Sequence, residues 1–371
     1  MHIKNLEIHN FRNYSNFKID FEPHINIIYG DNGQGKTNLL ESIYVLALTK
    51  SHRAYIESNL IKDGEKEAVL KGTILMDMPY NLYLHLGKST KHLKIDDNPV
   101  KTISSYIAKT NVIIFSSEDL DLIKGGPAGR RKYLDLEISQ LSANYYTVEN
   151  DLTKLLKIRN DYLKKMNNGE PVDMSYFDIL TDYIVNKSVF IYQMRKTYID
   201  KVNKVLPKIF KEISGLTGFN LKYNPSIDFE NFSSEYLKET LKQKFKDNLD
   251  KEIILKTTLY GPQRDDFTFC LEDNNLREFG SQGQQKMGVI ALKLSEIEVF
   301  KDYKKQNPII LLDDVFSDLD NTKKNNLLKH LDGDMQIIIT TTDLKNIDKR
   351  LLEKAKLIHI KSGQIIENEV A

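Results

Sequence analysis

The sequence predicts an α/β protein in which a glycine-rich loop joins a strand to a helix, with a helical lobe inserted within the fold. Three observations carry that expectation. Ile25, Ile27 and Ile28 lead through Tyr29 into a loop at 30–37, after which Leu39, Leu40, Ile43, Leu46 and Ala47 recur at helical spacing. From about residue 140 to 214 the apolar residues step at nearly heptad intervals. From Leu259 onward strands and helices alternate again and reach a run of four apolar residues and two aspartates at 309–314.

Each element follows from its local pattern. Leu6 and Ile8, then Phe17, Ile19 and Phe21, alternate with polar residues and read as strands. The stretch 66–118 is β-rich, with clusters at Val69, Leu70, Ile74 and Leu75, at Leu82, Leu84 and Leu86, and at 112–115. A turn at Gly125-Gly126-Pro127 precedes Arg130-Arg131-Lys132. Val148, Leu152, Leu155, Tyr162 and Met166 form one helical stripe. After the breaker at 167–171 it resumes with Phe177, Leu180, Ile184, Ile191, Met194 and Tyr198. Two antiparallel helices joined at 167–173 bury these stripes against each other, either as a short coiled coil or as two packed core helices. Spacing alone leaves both open. An irregular or strand-like stretch at 215–233 and a charged helix at about 234–253 complete the insertion. The expected division is a head of 1–138 plus 255–371 and an inserted lobe of 139–254.

Composition narrows the function classes. The 371 residues suggest two or three structural units. Lys and Arg number 53 against 52 Asp and Glu, a net charge of +1, which excludes a wholesale polycation but leaves room for a local basic patch. The single cysteine, Cys270, excludes an internal disulfide and a multi-cysteine zinc site, and a reducing cytoplasm is the expected location. The first fourteen residues lack the apolar stretch of a signal peptide. The longest apolar runs, such as 309–312, fall far short of the ~18 residues that span a bilayer, so no membrane association is expected.

Three motifs carry chemistry. Residues 30–37 match GxxxxGK[ST]. Gly30, Asp31, Asn32, Gly33, Gln34 and Gly35 would turn backbone N–H groups inward around phosphates, with the positive end of the following helix aimed at the anion. Lys36 would reach the β- and γ-phosphates as a catalytic group, and the Thr37 hydroxyl would ligate Mg²⁺. The acidic strand would deliver Asp313 to the same metal and Asp314 to the attacking water. Ser281-Gln282-Gly283-Gln284-Gln285 opens a helix, and Ser281, Gly283 and Gln284 form a further candidate anion site. Taken singly, the three strings read as a glycine-rich turn, a strand-end acid pair and a helix cap. Their order is what discriminates.

That order resembles the ABC-type ATPases: phosphate loop, signature motif, acidic strand. Asp318-Leu319-Asp320 is similar to the D-loop of that class, and 340–342, three threonines, stand in the place of its switch histidine. In chromosome-associated members a helical insertion separates the two halves of the head, and here the near-heptad region lies between Thr37 and Ser281. Phe11-Arg12-Asn13-Tyr14, Lys50-Ser51-His52-Arg53, Lys124-Gly125-Gly126-Pro127, 130–135, Gly261-Pro262-Gln263-Arg264-Asp265-Asp266 and 280–285 resemble one family, the RecF family of bacterial DNA replication and repair proteins. The resemblance runs from about 1 to 345, with mild departures at Gln263 and Asp318.

The resemblance implies an ATP-binding, DNA-binding cytoplasmic ATPase that forms an ATP-dependent homodimer, the signature of one chain covering the nucleotide of the other. It implies slow, DNA-stimulated hydrolysis and action on single-stranded, double-stranded and gapped DNA. RecR and RecO would be partners, with RecA loaded at single-strand gaps, in replication, recombinational repair and SOS induction. The alternatives are the ATPase subunit of a membrane transporter or of a nuclease complex. The helical insertion and the family segments argue against the transporter. The short insertion and the lack of a histidine metal cluster argue against the nuclease machine.

Smaller expectations concern single residues. Arg130, Arg131 and Lys132, and then Lys88, Lys91 and Lys94, are candidate DNA contacts, or else solvated faces. His52 and Arg53 either line the base or ribose or form a structural pair. The stretch 115–118 is where a metal-sensing glutamine would lie, and Asp265 and Asp266 are either a second acidic pair or residues that structure a loop near the signature.

Overall fold

The computed structural model describes residues 1–366 except 55, 319–320 and 332–333, with the backbone alone at 317–318, 321–322, 346 and 350. Of the expected D-loop, Leu319, Asp320 and the side chain of Asp318 lie outside the described residues. The strands, in chain order, begin with β1 (His2–Phe11), β2 (Tyr14–Asp20) and β3 (Ile25–Tyr29). The β-rich stretch holds β4 (Glu67–Leu75), β5 (Tyr80–Gly87), β6 (Lys91–Ile95), β7 (Asn98–Pro99) and β8 (Val112–Phe115). Then come β9 (Phe219–Asn224), β10 (Asp266–Leu271), β11 (Asn274–Asn275), β12 (Ile309–Asp313), β13 (Ile337–Thr341), β14 (Ala355–Lys361) and β15 (Gln364–Ile366).

The chain divides into two compact units. One comprises 1–120, 208–216 and 286–371, and the other 121–207 and 217–285. This division by packing differs from the head and lobe expected from sequence: 121–138 and 255–285 pack with the helices. The reason is local to the second unit. Arg130 grips Asp266 with two hydrogen bonds of 2.6 and 2.9 Å, and Arg195 bonds Asp265 at 2.9 Å. β10 is also paired along its length with β9.

In the first unit, β2-β1-β4-β5-β6-β7 form an antiparallel sheet, and β15-β14-β3-β13-β12-β8 form a second sheet. All neighbours from β8 to β14 in that second sheet run parallel. A parallel strand covered on both faces needs apolar residues throughout, which is why 309–312 is an unbroken apolar run and is fully buried. The helix Lys36–Leu48 packs against strands of both sheets and buries eleven of its thirteen residues. It is apolar nearly all round because it lies in the core. Since the strands are parallel, the loops after β3, β8, β12 and β13 all leave at one edge of the sheet.

In the second unit the near-heptad region is a helical hairpin, Ala143–Asn167 and Met174–Ser214, the latter belonging to this unit up to Pro207. The pairs Arg159 with Thr181 and Arg195 with Tyr145 set the helices antiparallel, as expected. Their stripes are not covered by each other alone. Arg159 sits over the ring of Phe177 and also over that of Phe245, on the helix Ser234–Asp247. The lobe is therefore a packed helical core built on a hairpin. The expected charged helix is broken in two at Asn248, which ends one helix and starts Leu249–Leu255.

Candidate nucleotide-binding site

The loop after β3 is shaped by close approach. A Cβ on Gly30 would overlap the carbonyl oxygen of Ile360 on β14, and one on Gly35 would lie 2.6 Å from Asn13 Nδ2. Both glycines have positive φ, 152° and 109°. Neither position admits a side chain. Gly35 is the N-cap of the helix Lys36–Leu48, and no side chain caps it. The first-turn N–H groups therefore face the loop without a side-chain acceptor, the arrangement that binds anions.

Lys36 is only 7% exposed. Its Nζ folds back over the loop and donates to the carbonyls of Gly30 (2.7 Å) and Asp31 (2.8 Å). Burial lowers its pKa, opposed by the charges of Asp314, Asp313 and Asp31. Thr37 Oγ1 donates to Asp313 Oδ1 at 2.9 Å, joining the loop to the end of β12. The same oxygen accepts from Thr340 Oγ1 at 2.7 Å. Burial raises the Asp313 pKa, with the two threonine hydrogen bonds pulling the other way. A hydroxyl and a carboxylate oxygen at this spacing form the donor set a hard divalent cation prefers, so these residues fit Mg²⁺. Asp314 is turned out of the strand: its φ is 53°, its backbone N–H donates to Thr340 Oγ1 at 3.1 Å, and its side chain is exposed.

Thr340 thus holds both aspartates. Of the three threonines that stand in the place of a switch histidine, Thr340 is buried with its hydroxyl bonded to the acid pair, Thr341 donates to the Asp343 carbonyl, and Thr342 is half-buried. The signal available was a threonine at the end of a buried strand adjacent to the acidic one.

The segment 11–14 braces the site. Arg12 grips Glu41 of the helix through Nε and Nη2, both at 2.8 Å, and Ser51 Oγ donates to the same carboxylate at 2.6 Å. Burial would raise the pKa of Glu41, but these hydrogen bonds from Arg12 and Ser51 outweigh it and the net direction is down. Tyr14 donates its hydroxyl to the carbonyl of Gly35 at 3.1 Å, and Asn13 Oδ1 accepts from Asn38 at 2.8 Å. His52 and Arg53 form structural contacts. The His52 ring packs edge-on against Tyr44, and burial pushes its pKa down to about 4. Arg53 pairs with Glu118 at 3.2 Å. No glutamine stands at 115–118. Asp119, just after, accepts from the Ser116 N–H at 2.7 Å.

Asp31, Asn32 and Gly33 are exposed on the rim of the loop, and Gln34 is half-buried. Ser281, Gly283 and Gln284 belong to the second unit and make their own local site. Ser281 Oγ accepts from the Gln284 N–H (3.2 Å) and Gln284 Oε1 accepts from the Ser281 N–H (2.8 Å), a reciprocal capping box that leaves Ser281, Gln282 and Gly283 exposed.

The expected DNA contacts change. Arg130 is buried, donating to Asp266, to the Leu122 carbonyl (3.1 Å) and to the Gly125 carbonyl (2.9 Å), and Arg131 donates to the Asp265 carbonyl (2.8 Å). These arginines organise the second unit. Asp265 is fully buried, accepts from Arg195 and the Ser226 N–H (both 2.9 Å), and is pushed up to about 6 by burial against the pull of Arg195. Lys91 is tied to the Thr49 carbonyl (2.8 Å) and Glu57 (2.6 Å), and Lys94 lies 5.2 Å from the Tyr83 ring centre. Lys88 is exposed.

A strand–glycine loop–helix unit, with an acid pair at the end of a parallel strand two places along the same sheet, defines a P-loop head of the ABC and SMC class. The RecF/RecN/SMC N terminal domain family matches residues 2–365. The DNA replication and repair protein RecF of Lactobacillus johnsonii is 38% identical over the full length of both chains. That of Bacillus cytotoxicus is 37% identical over 98% of each. A solved structure of the recombination mediator protein RecF with ATP, of the RecFOR pathway, superposes with a TM-score of 0.91 at 30% identity, covering 98% of this chain and 97% of that one. The Smc head domain of Pyrococcus furiosus shares the fold, with a TM-score of 0.52 at 16% identity. The chain belongs to the RecF family of DNA replication and repair proteins.

Proposed function

We propose that the chain binds and slowly hydrolyses ATP, and that it uses the nucleotide as a switch for DNA binding. The observation that carries this reading is the Thr37–Asp313 hydrogen bond at 2.9 Å, which brings the hydroxyl of the phosphate loop to the acidic strand beside an anchored lysine. Lys36 holds its ammonium across the loop, where β- and γ-phosphate oxygens are bound. The uncapped first turn of the helix adds converging N–H donors. Mg²⁺ held by Thr37 and Asp313 supplies neutralisation of phosphate charge. Asp314, exposed next to that carboxylate, orients the attacking water and takes up its proton.

In this reading Ser281, Gly283 and Gln284 of one chain close on the nucleotide of a second copy, so that two chains sandwich two ATPs about a two-fold axis. The exposure of Ser281 and Gly283 supports it. Functionally the head is 1–138 plus 255–371 and the lobe 139–254. The relatives carrying the RecF name support the cellular role: DNA-stimulated turnover in the cytoplasm at single-strand gaps, action with RecO and RecR to load RecA, and SOS induction. Replacement of Lys36 by Ala tests the reading. ATP-driven dimerisation, followed by light scattering, is expected to disappear, and dimers that persist with ATP would remove Lys36 from the site.

A further inference from the structure

Gln34 lies between two glycines of the phosphate loop, and a single turn distant in sequence uses both its backbone and its side chain. Gly363 N–H donates to the Gln34 carbonyl at 3.0 Å, and Ser362 N–H donates to Gln34 Oε1 at 2.6 Å. That turn joins β14 to β15 and holds Ser362 and Gly363 at φ of 51° and 72°. Further up β14, the Ile360 carbonyl occupies the space a side chain on Gly30 would need. The hairpin therefore meets the loop at its first residue and again at Gln34. On its other side Gly363 abuts the brace at 11–14, where a Cβ would lie 3.5 Å from Asn13 Nδ2 and 3.6 Å from Tyr14.

The loop needs such support. Gly30, Gly33 and Gly35 all have positive φ, and the helical ladder starts only with Leu39 N–H donating to the Gly35 carbonyl at 2.9 Å. A stretch this rich in glycine loses more conformational freedom on ordering than any other. If its N–H groups are to converge on an anion, the ordering is done either by the ligand, at the expense of affinity, or beforehand by the protein.

We propose that the Gln34 side chain is a positioning group rather than a nucleotide contact, and that the β14–β15 turn, through Gln34, fixes the phosphate loop in its binding conformation. This rests on the phosphate-loop reading above. Replacing Gln34 by Met keeps the bulk and removes the acceptor for Ser362. Titration of the full chain with a fluorescent ATP analogue and Mg²⁺ should then show affinity weakened about three- to tenfold. In steady-state hydrolysis the change should fall on KM rather than kcat, with an unchanged thermal midpoint. Gly363→Ala places a side chain at positive φ in the same turn and should weaken binding likewise. Because both variants loosen the same junction between turn and loop, their losses should be coupled and the double variant should bind less weakly than the sum of the two single losses predicts. Wild-type affinity in Gln34→Met, a change confined to kcat, or additive losses in the double variant would overturn the proposal. Lys36→Ala separates the two readings. If it abolishes binding while Gln34→Met does not alter it, only the hairpin's role falls. If Lys36→Ala binds as the wild type does, the phosphate-loop reading falls.

Discussion

Asp313 and Asp314 are neighbours in sequence but differ in surroundings, and one hydroxyl produces the difference. Thr340 donates to the half-buried carboxylate of the first and accepts the backbone N–H of the second, whose left-handed conformation sends its side chain outward. Thr340→Val keeps the shape and removes both bonds, so Asp313 should become harder still to ionise. The midpoint of a Mg²⁺ titration of ATPase activity is then expected to move to higher concentration. His52 allows a test by pH. Its folded pKa of about 4 lies below the ordinary ~6.5, so its neutral burial contributes stability that is fully present above about pH 6.5 and lost as pH falls through about 4. The shift corresponds to roughly 3 kcal/mol. His52→Phe keeps an aromatic ring against Tyr44, and its thermal midpoint should fall less between pH 7 and pH 4.5 than that of the wild type.

At the scale of elements, the helical lobe depends on a charge inside its core. Arg159 is 1% exposed, pairs with fully buried Glu252 at 2.7 Å, and donates to Thr258 Oγ1 at 2.9 Å. Arg159→Ala leaves that carboxylate in the interior with the Leu259 N–H but no counter-charge, and should cost about 3–5 kcal/mol in denaturant unfolding. The double variant Arg159→Met with Glu252→Leu should recover most of it. This network shows what the sequence conceals. Apolar periodicity made the two hairpin helices, β1 to β3 and β12 legible, because burial on one face or two leaves a repeat of 3.6 or 2 or an unbroken run. Ion pairs carry no such period. Arg130 and Asp266 meet across 136 positions, so the cluster 130–132 reads as a basic surface when two of its members are ties within the second unit. The break at Asn248 is equally hidden, since the charges continue through it.

At the scale of the molecule, the site was readable as a list of residues but not as an arrangement. The motif gave Lys36, Thr37 and Asp313. Thr340 and the hairpin turn behind Gln34 are known only from the sheet order that puts β13 and β14 on either side of β3. With a net charge of +1 and two arginines withdrawn into the second unit, DNA affinity cannot come from bulk charge. On the proposed reading it depends on assembly. Ser281→Arg places a charge on an exposed cap, and should leave nucleotide binding by the monomer nearly intact while abolishing ATP-dependent dimers. Equal loss of both would deny Ser281 its role across the dimer.

The placing of β3 between β13 and β14 also bears on how the protein is made. The strand that carries the phosphate loop leaves the ribosome first, and both strands that hydrogen-bond to it are synthesised more than 300 residues later. At roughly 5–20 residues per second the delay is on the order of tens of seconds. Throughout that time β3 is a hydrophobic strand with two open edges, a target for misplaced pairing or for a chaperone. On the proposed reading, a nascent chain cannot respond to nucleotide until β13 and β14 have been made, so shorter chains cannot compete for partners or DNA.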